Sequence, residues 1–67
     1  MSMEDKLNTL FSHWIDHNDS HKDNYISWAA KARDAGLGAV ADALEAAGAL
    51  SDQVTEKLKT AHHLLKH

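Results

Sequence analysis

The chain contains no cysteine and no proline, and only three of its 67 residues are glycine. Without cysteine there is no disulfide and no thiolate metal ligand, so a metal site would have to use histidine and carboxylate groups. Without proline there is no strong helix breaker, and the abundant alanine, leucine and lysine favour helix over strand. A domain this small buries little surface and usually needs a metal or a partner chain for stability.

Long apolar runs are also missing, because the longest are only a few residues against the roughly 20 needed to cross a bilayer. The N-terminal run from Met1 to Lys6 lacks the charged-then-apolar order of a secretion signal, so we expect a cytoplasmic protein without membrane contact. Seven Lys and Arg against ten Asp and Glu give a formal charge of −3, and the basic residues form no stripe. A nucleic-acid partner is therefore not expected.

Two segments with helical periodicity, about 4–35 and 38–66, are separated by Gly36 and Gly38. In each segment the candidate core residues recur at alternating steps of three and four, which is a heptad pattern. These residues are Leu7, Phe11, Trp14, Asn18, His21, Tyr25, Trp28, Ala32 and Ala35, followed by Leu37, Val40, Leu44, Ala47, Ser51, Val54, Leu58, Ala61 and Leu65. The pattern predicts an all-α fold, a single domain over 1–67 formed by an antiparallel helical hairpin.

Further apolar residues widen the apolar face beyond what one partner helix covers. They are Leu10, Ile15, Ile26, Ala29, Leu50 and Leu64. We therefore expect two hairpins to pair into a four-helix bundle, which makes the protein a homodimer. The alternative is a monomeric bundle of three or four short helices, because the segments 18–20 and 48–51 could each end one helix and start another.

The most distinctive chemical feature is the histidine content, six of 67 residues. His13, His17 and His21 are four residues apart, so on a helix neighbouring rings lie close enough to share one transition-metal ion. His13 and His21 are about 12 Å apart along the axis, so one ion takes only two of the three. In an antiparallel hairpin His62 comes near them. The predicted metal ligands are thus His13, His17, His21 and His62, binding Ni²⁺ or Zn²⁺, with Asp16, Asp19 or Glu56 as weaker additions.

Other interpretations of these residues remain open. Asn18 and His21 could be buried polar groups that fix helix register in a metal-free oligomerisation or docking module. Protonation of a buried His21 could instead make the bundle a pH sensor. The large aromatic rings at heptad positions, such as Trp14 and Trp28, are expected in the core. Enzyme activity is not expected, because no serine has a recognisable paired base and the His-x-x-x-His pair lacks the adjacent glutamate of a zinc peptidase.

The string His13-Trp14-Ile15-Asp16-His17-Asn18-Asp19-Ser20-His21, with the Ala/Leu-rich second half, resembles a small uncharacterised helical domain. The specific part of the likeness is the H-x3-H-N-x2-H motif, and the likeness covers His13 to Leu65. That domain looks similar to ones sometimes attached to nickel-binding accessory proteins of the carbon monoxide dehydrogenase type. The resemblance implies a role in handling nickel, with a metalloenzyme-maturation protein as a possible partner.

Overall fold

The computed structural model describes residues 2–66, except for the side chain of Lys66, so Met1 and His67 lie outside the described residues. It consists of helix α1 (Met3–Asp34) and helix α2 (Gly38–Lys66), packed side by side and antiparallel. The molecule extends 51 × 16 × 10 Å and is a single layer of two helices. The predicted all-α helical hairpin is confirmed. Neither helix is interrupted at 18–20 or 48–51, so the alternative of three or four short helices is wrong.

The turn between the helices is built by backbone hydrogen bonds around Gly36, whose φ of +82° lies in the left-handed region. The Gly36 N–H donates to the Arg33 carbonyl at 3.0 Å, and the Leu37 N–H donates to the Ala32 carbonyl at 2.9 Å. This pair of bonds is the Schellman ending of a helix, which satisfies carbonyls that the helix leaves unpaired. Glycine is favoured at this φ because it has no Cβ to clash with the backbone.

The line of closest contact between the helices is formed by small residues. Ala29 is 1% exposed and Ala41 0%, and the polar Ser51 and Thr55 are 7% and 5% exposed. Among the described residues, Phe11 is the only large apolar side chain in the buried class, at 9% exposure. Small side chains allow the two backbones to approach, but they bury little apolar surface. The hairpin therefore has a thin core.

The prediction that large heptad residues form this core is confirmed for Phe11 and wrong for both tryptophans. Trp14 is 41% exposed, Trp28 59%, Val40 50% and Val54 48%, and His21 is also on the surface. At these positions the buried line is rotated by about one residue from the predicted one, so Ala29 takes the place of Trp28 and Thr55 that of Val54, whereas Phe11 and Ser51 are buried at their predicted heptad positions. The reason is that a heptad pattern gives only the average apolar direction of each helix. In this hairpin the average apolar direction of each helix points to one exposed side of the hairpin and not to the other helix.

Gly48, in the middle of α2, allows Ile26 of α1 to pack directly against the α2 backbone. A Cβ placed on Gly48 would lie 2.6 Å from Ile26 Cδ1 and 3.2 Å from Ile26 Cγ1. Glycine is unfavourable inside a helix by roughly 1 kcal/mol relative to alanine. The close packing of Ile26 against the α2 backbone offsets this cost. It therefore explains why α2 continues through Gly48, which the sequence marks as a candidate break.

Ion pairs join the two helices on the same side as Ile26. Lys22 Nζ is 2.7 Å from Asp52, and Arg33 is 2.8 Å from Asp42 and 2.7 Å from Glu45. Hydrogen bonds to these carboxylates raise the pKa of both Lys22 and Arg33 above their ordinary values. All these groups are substantially exposed, so each pair contributes little stability. Their effect is to place charged groups around Ile26, which is 43% exposed, on this side of the hairpin.

Candidate functional site

Three histidines lie in a row on the exposed surface of α1, as their spacing predicts. The His13 and His17 rings are nearly parallel, with centroids 5.8 Å apart and an interplanar angle of 12°. The His17 and His21 rings are nearly perpendicular, with centroids 4.4 Å apart and an angle of 88°. Their Nε2 atoms are only 2.9 Å from each other. The row therefore contains one convergent pair, His17 with His21, and one stacked pair, His13 with His17.

His62 is held elsewhere by two contacts of its own. Its Nε2 is 2.5 Å from Asn8 Oδ1, which can only accept, so Nε2–H donates this hydrogen bond. Its ring also packs against Phe11, with centroids 5.9 Å apart. Because Nε2 carries the proton, it has no free lone pair, and His62 in this state cannot bind a metal through that atom. The structure does not join His62 to the row.

The acidic residues considered as additional ligands do not complete a site. Asp19 accepts a hydrogen bond from the Thr55 hydroxyl at 3.1 Å, which ties its carboxylate to α2. Asp16 lies beside His13 and His17 at a shallow surface depression. Within residues 2–66 no group of three or more histidine, aspartate or glutamate side chains converges on a point that could hold a metal ion.

A buried polar layer crosses the hairpin at Asn18, as the alternative interpretation of this residue predicts. The Asn18 side-chain amide donates to the Ser51 carbonyl at 2.6 Å and to the Thr55 hydroxyl at 2.7 Å. Together with the bond from Thr55 to Asp19, this network satisfies its polar groups. His21 takes no part in it and is exposed, so the expectation that His21 is a core residue is wrong. A pH sensor based on charging the core at His21 loses its physical basis.

The second candidate site is the open side of the hairpin opposite the ion pairs. We call it the apolar face, defined as Trp14, Trp28, Val40, Leu44, Val54 and Leu58. A groove in it runs between the helices near the turn, with Trp28 and Ala32 on one wall and Val40 and Leu44 on the other. The ammonium of Lys31 lies over the Trp28 ring, 4.1 Å from its centroid. Sequence reasoning found these residues but assigned them to the core of the hairpin.

The apolar face repeats itself along the hairpin. Trp14 and Trp28 are separated by 14 residues, as are Val40 and Val54, and Leu44 and Leu58. Fourteen residues are two heptads, so the two members of each pair lie on the same stripe of their helix, about 21 Å apart. Since the helices are antiparallel and Asn18 lies beside Thr55, Trp14 falls near the level of Leu58. The face thus carries two similar apolar clusters.

Neither helix of the described chain has a stretch long and apolar enough to cross a lipid bilayer. Comparison of the chain with curated proteins and with solved structures finds no match to either.

A protein-family model does match, over residues 7–65, which is nearly the whole chain. The match includes both helices, the histidine row and the apolar face. The family's description assigns no function. It supports the predicted resemblance to a small uncharacterised domain, whereas the link to nickel-binding accessory proteins and the significance of the histidine motif stay predictions. The chain belongs to the family described as "Domain of unknown function (DUF8180)".

Proposed function

We propose that this protein is a non-enzymatic assembly module whose apolar face binds a second copy of the chain, producing a four-helix homodimer. The observation that carries the proposal is the exposure of two tryptophans on one face, 41% for Trp14 and 59% for Trp28. Exposed large apolar side chains that cluster on one face of a small protein mark an interaction site. Tryptophan is also among the residues that contribute most to binding at interfaces.

The accessible surface supports a partner of similar size. It measures 4906 Å². A compact monomer of 7.4 kDa would expose about 4200 Å². The excess of about 700 Å² is close to the roughly 800 Å² that each partner buries in a standard interface. The hairpin is also only 10 Å thick, one helix layer, so covering the apolar face with a second layer would give the thickness of an ordinary helical bundle.

The repeat within the apolar face favours a second copy over an unrelated partner. A two-fold axis perpendicular to the helices, midway between Trp14 and Trp28, would place the Trp28 cluster of one chain on the Trp14 cluster of the other. The same operation pairs Val40 with Leu58 and Leu44 with Val54. A surface that matches itself under a two-fold rotation is what a symmetric dimer requires.

The polarity of the other side of the hairpin agrees with this orientation. Lys22, Asp52, Arg33 and Glu45 already pair within one chain on that side. Burying them against a second chain would require removing these charges from water, which is unfavourable, whereas burying the apolar face is favourable. The dimer would therefore form with the ion pairs outward and the tryptophans inward.

The experiment is sedimentation equilibrium over a range of protein concentrations, with Trp28→Glu as the disrupting variant. We expect the native chain to have twice the 7.4 kDa monomer mass. In Trp28→Glu the dimer should weaken by at least about a hundredfold, since a charge would be buried in the interface. Leu64→Glu is the matched control, because Leu64 is 68% exposed but six residues, or about 240° of helix rotation, from Leu58.

Circular dichroism of both variants separates loss of assembly from loss of folding. A Trp28→Glu chain that stays helical at high concentration and sediments as a monomer would support the proposal. If the native chain is a monomer at millimolar concentration and still unfolds cooperatively, the proposal is wrong, and the apolar face belongs to a different protein. A dimer that Leu64→Glu disrupts as strongly as Trp28→Glu would place the interface elsewhere.

A further inference from the structure

We propose that His17 and His21 form a two-ligand chelate for a divalent transition metal that prefers right-angled coordination, such as Ni²⁺ or Cu²⁺, with solvent completing its coordination. This site goes beyond the assembly function, because both ligands come from one helix of one chain. His21 is seven residues from both Trp14 and Trp28, so it lies on the stripe that the proposed dimer covers, and the site is open to solvent in the monomer. It uses fewer histidines than the four predicted from the sequence.

The separation of the two nitrogens matches such an ion. Two imidazole nitrogens bound at about 2.05 Å and at a right angle lie about 2.9 Å from each other, whereas a tetrahedral angle places them about 3.3 Å apart. The observed distance between His17 Nε2 and His21 Nε2 is 2.9 Å. The two atoms therefore have the spacing of adjacent ligands in square-planar or octahedral coordination.

The directions of the two rings agree with the same geometry. If both nitrogen lone pairs point at one ion at a right angle, the ring centroids lie about 4.5 Å apart, and if the rings point straight at each other in a linear hydrogen bond they lie about 5.2 Å apart. The observed centroid distance is 4.4 Å. The rings thus converge on a common point beside the helix more than they point at each other.

The metal-free pair needs only one proton change to become a chelate. At 2.9 Å one Nε2–H can donate to the other Nε2, which satisfies both atoms without a metal. Moving that proton to Nδ1 gives two free Nε2 lone pairs on rings that are exposed in the single chain. Neutral imidazole nitrogens select transition metals over Mg²⁺ and Ca²⁺, which prefer oxygen ligands.

His13 does not take part, although it has the same spacing from His17. The two rings stack nearly parallel, with centroids 5.8 Å apart, so their nitrogens do not converge. His13→Ala and His21→Ala are therefore matched variants. Each leaves one pair of histidines four residues apart, but His13→Ala leaves the convergent pair and His21→Ala leaves the stacked pair.

The test is calorimetric titration of chelator-treated protein, made without a histidine tag, with CuCl₂ and with NiCl₂. It is done on the native chain and on Trp28→Glu, in which the proposed dimer does not cover His21, and each histidine variant is made in both backgrounds. Relative to the native chain, we expect His13→Ala to change the Kd by less than about twofold, and His21→Ala and His17→Ala to weaken binding at least about tenfold, because one chelating ligand is lost. Electron paramagnetic resonance of the Cu²⁺ complex should show two nitrogen ligands in a tetragonal site, and one nitrogen in His21→Ala.

Three outcomes would overturn the proposal. Equal affinity in the native chain and His17→Ala would place any bound ion at other histidines. Equal weakening in His13→Ala and His21→Ala would show that the convergent geometry of His17 and His21 has no special affinity. ZnCl₂ serves as a further readout, since tighter binding of Zn²⁺ than of Ni²⁺ would contradict right-angled coordination. Sedimentation of the same metal-free samples reports on assembly separately.

Discussion

The side-chain amide of Asn18 on α1 donates a 2.7 Å hydrogen bond to the hydroxyl of Thr55 on α2. The same amide donates to the Ser51 carbonyl at 2.6 Å, so both of its hydrogens are directed across the hairpin. Thr55 is 5% exposed, and its hydroxyl in turn donates to Asp19. A satisfied polar layer of this kind fixes the register of two helices that otherwise meet through small, interchangeable residues.

We expect Asn18→Ala to lower the free energy of unfolding by about 1–3 kcal/mol, because two hydrogen bonds and the packing of the side chain are lost. Urea unfolding followed by circular dichroism at fixed protein concentration measures the change. Asn24→Ala is the control, since Asn24 is an exposed asparagine on the same helix, and it should change stability by less than about 0.5 kcal/mol. Equal effects of the two substitutions would show that the polar layer does not stabilise the hairpin.

Asn18→Leu tests a second property of the same layer. Leucine restores apolar contact, so we expect stability closer to that of the native chain than in Asn18→Ala, with a mixture of oligomers in place of a single species. Sedimentation velocity would resolve the mixture. A single species with the native mass would mean that the polar layer does not determine how the helices pair.

The two glycines of the turn should respond in opposite ways to alanine. Gly36 has φ +82°, so Gly36→Ala is expected to destabilise the chain by about 1–2 kcal/mol. Gly38 begins α2 without a positive φ, and an added Cβ there meets no atom within 4 Å. Gly38→Ala should leave stability unchanged or raise it by up to about 1 kcal/mol, since the unfolded chain loses freedom. Thermal unfolding of both variants checks this. Equal shifts of the melting temperature in the two variants would contradict the different backbone conformations of Gly36 and Gly38.

Stability should fall in strongly alkaline solution through the pair Lys22 and Asp52. The hydrogen bond to Asp52 raises the pKa of Lys22 from its ordinary 10.5 in the folded chain. A group whose pKa is raised by folding stabilises the fold below its unfolded pKa, and this contribution disappears as pH rises through the folded pKa. The difference in unfolding free energy between the native chain and Lys22→Met should therefore shrink above about pH 10.5.

Urea unfolding of both proteins between pH 8 and 11.5 measures this difference. The effect should be small, because the side chains of Lys22 and Asp52 are 34% and 57% exposed. Lys59→Met, at another exposed lysine, should show no such narrowing. A difference between the native chain and Lys22→Met that stays constant through this range would contradict the proposed role of the ion pair.

Much of the fold could be predicted from the sequence because its signals are local. The lack of proline, the long heptad pattern and Gly36 after basic residues predict two helices and a turn, and the structure has them. The histidine row also follows directly, since a spacing of four residues on any helix places the rings together. Asn18 was predictable as a polar residue facing the other helix because it lies among apolar heptad positions, and it is half-buried there.

The rest depended on which side of each helix faces the other. A rotation of one residue moves Trp28 outward and Ala29 inward, and the sequence pattern accommodates both. The placement of His62 depended on tertiary structure for a related reason, and its role as a metal ligand stays a prediction. The spacing across the turn placed His62 at roughly the right level, but its direction is set by contacts with Asn8 and Phe11.

The amino-acid order alone determined that this chain forms helices, where it reverses direction, and which residues share a stripe, because backbone hydrogen bonding and helical repeat act over a few residues. Only the tertiary structure decided that small residues such as Ala41 lie between the helices while both tryptophans remain outside. The physical reason is that two helices packed side by side come closest where the side chains between them are small. That choice leaves the largest apolar side chains available to a second molecule.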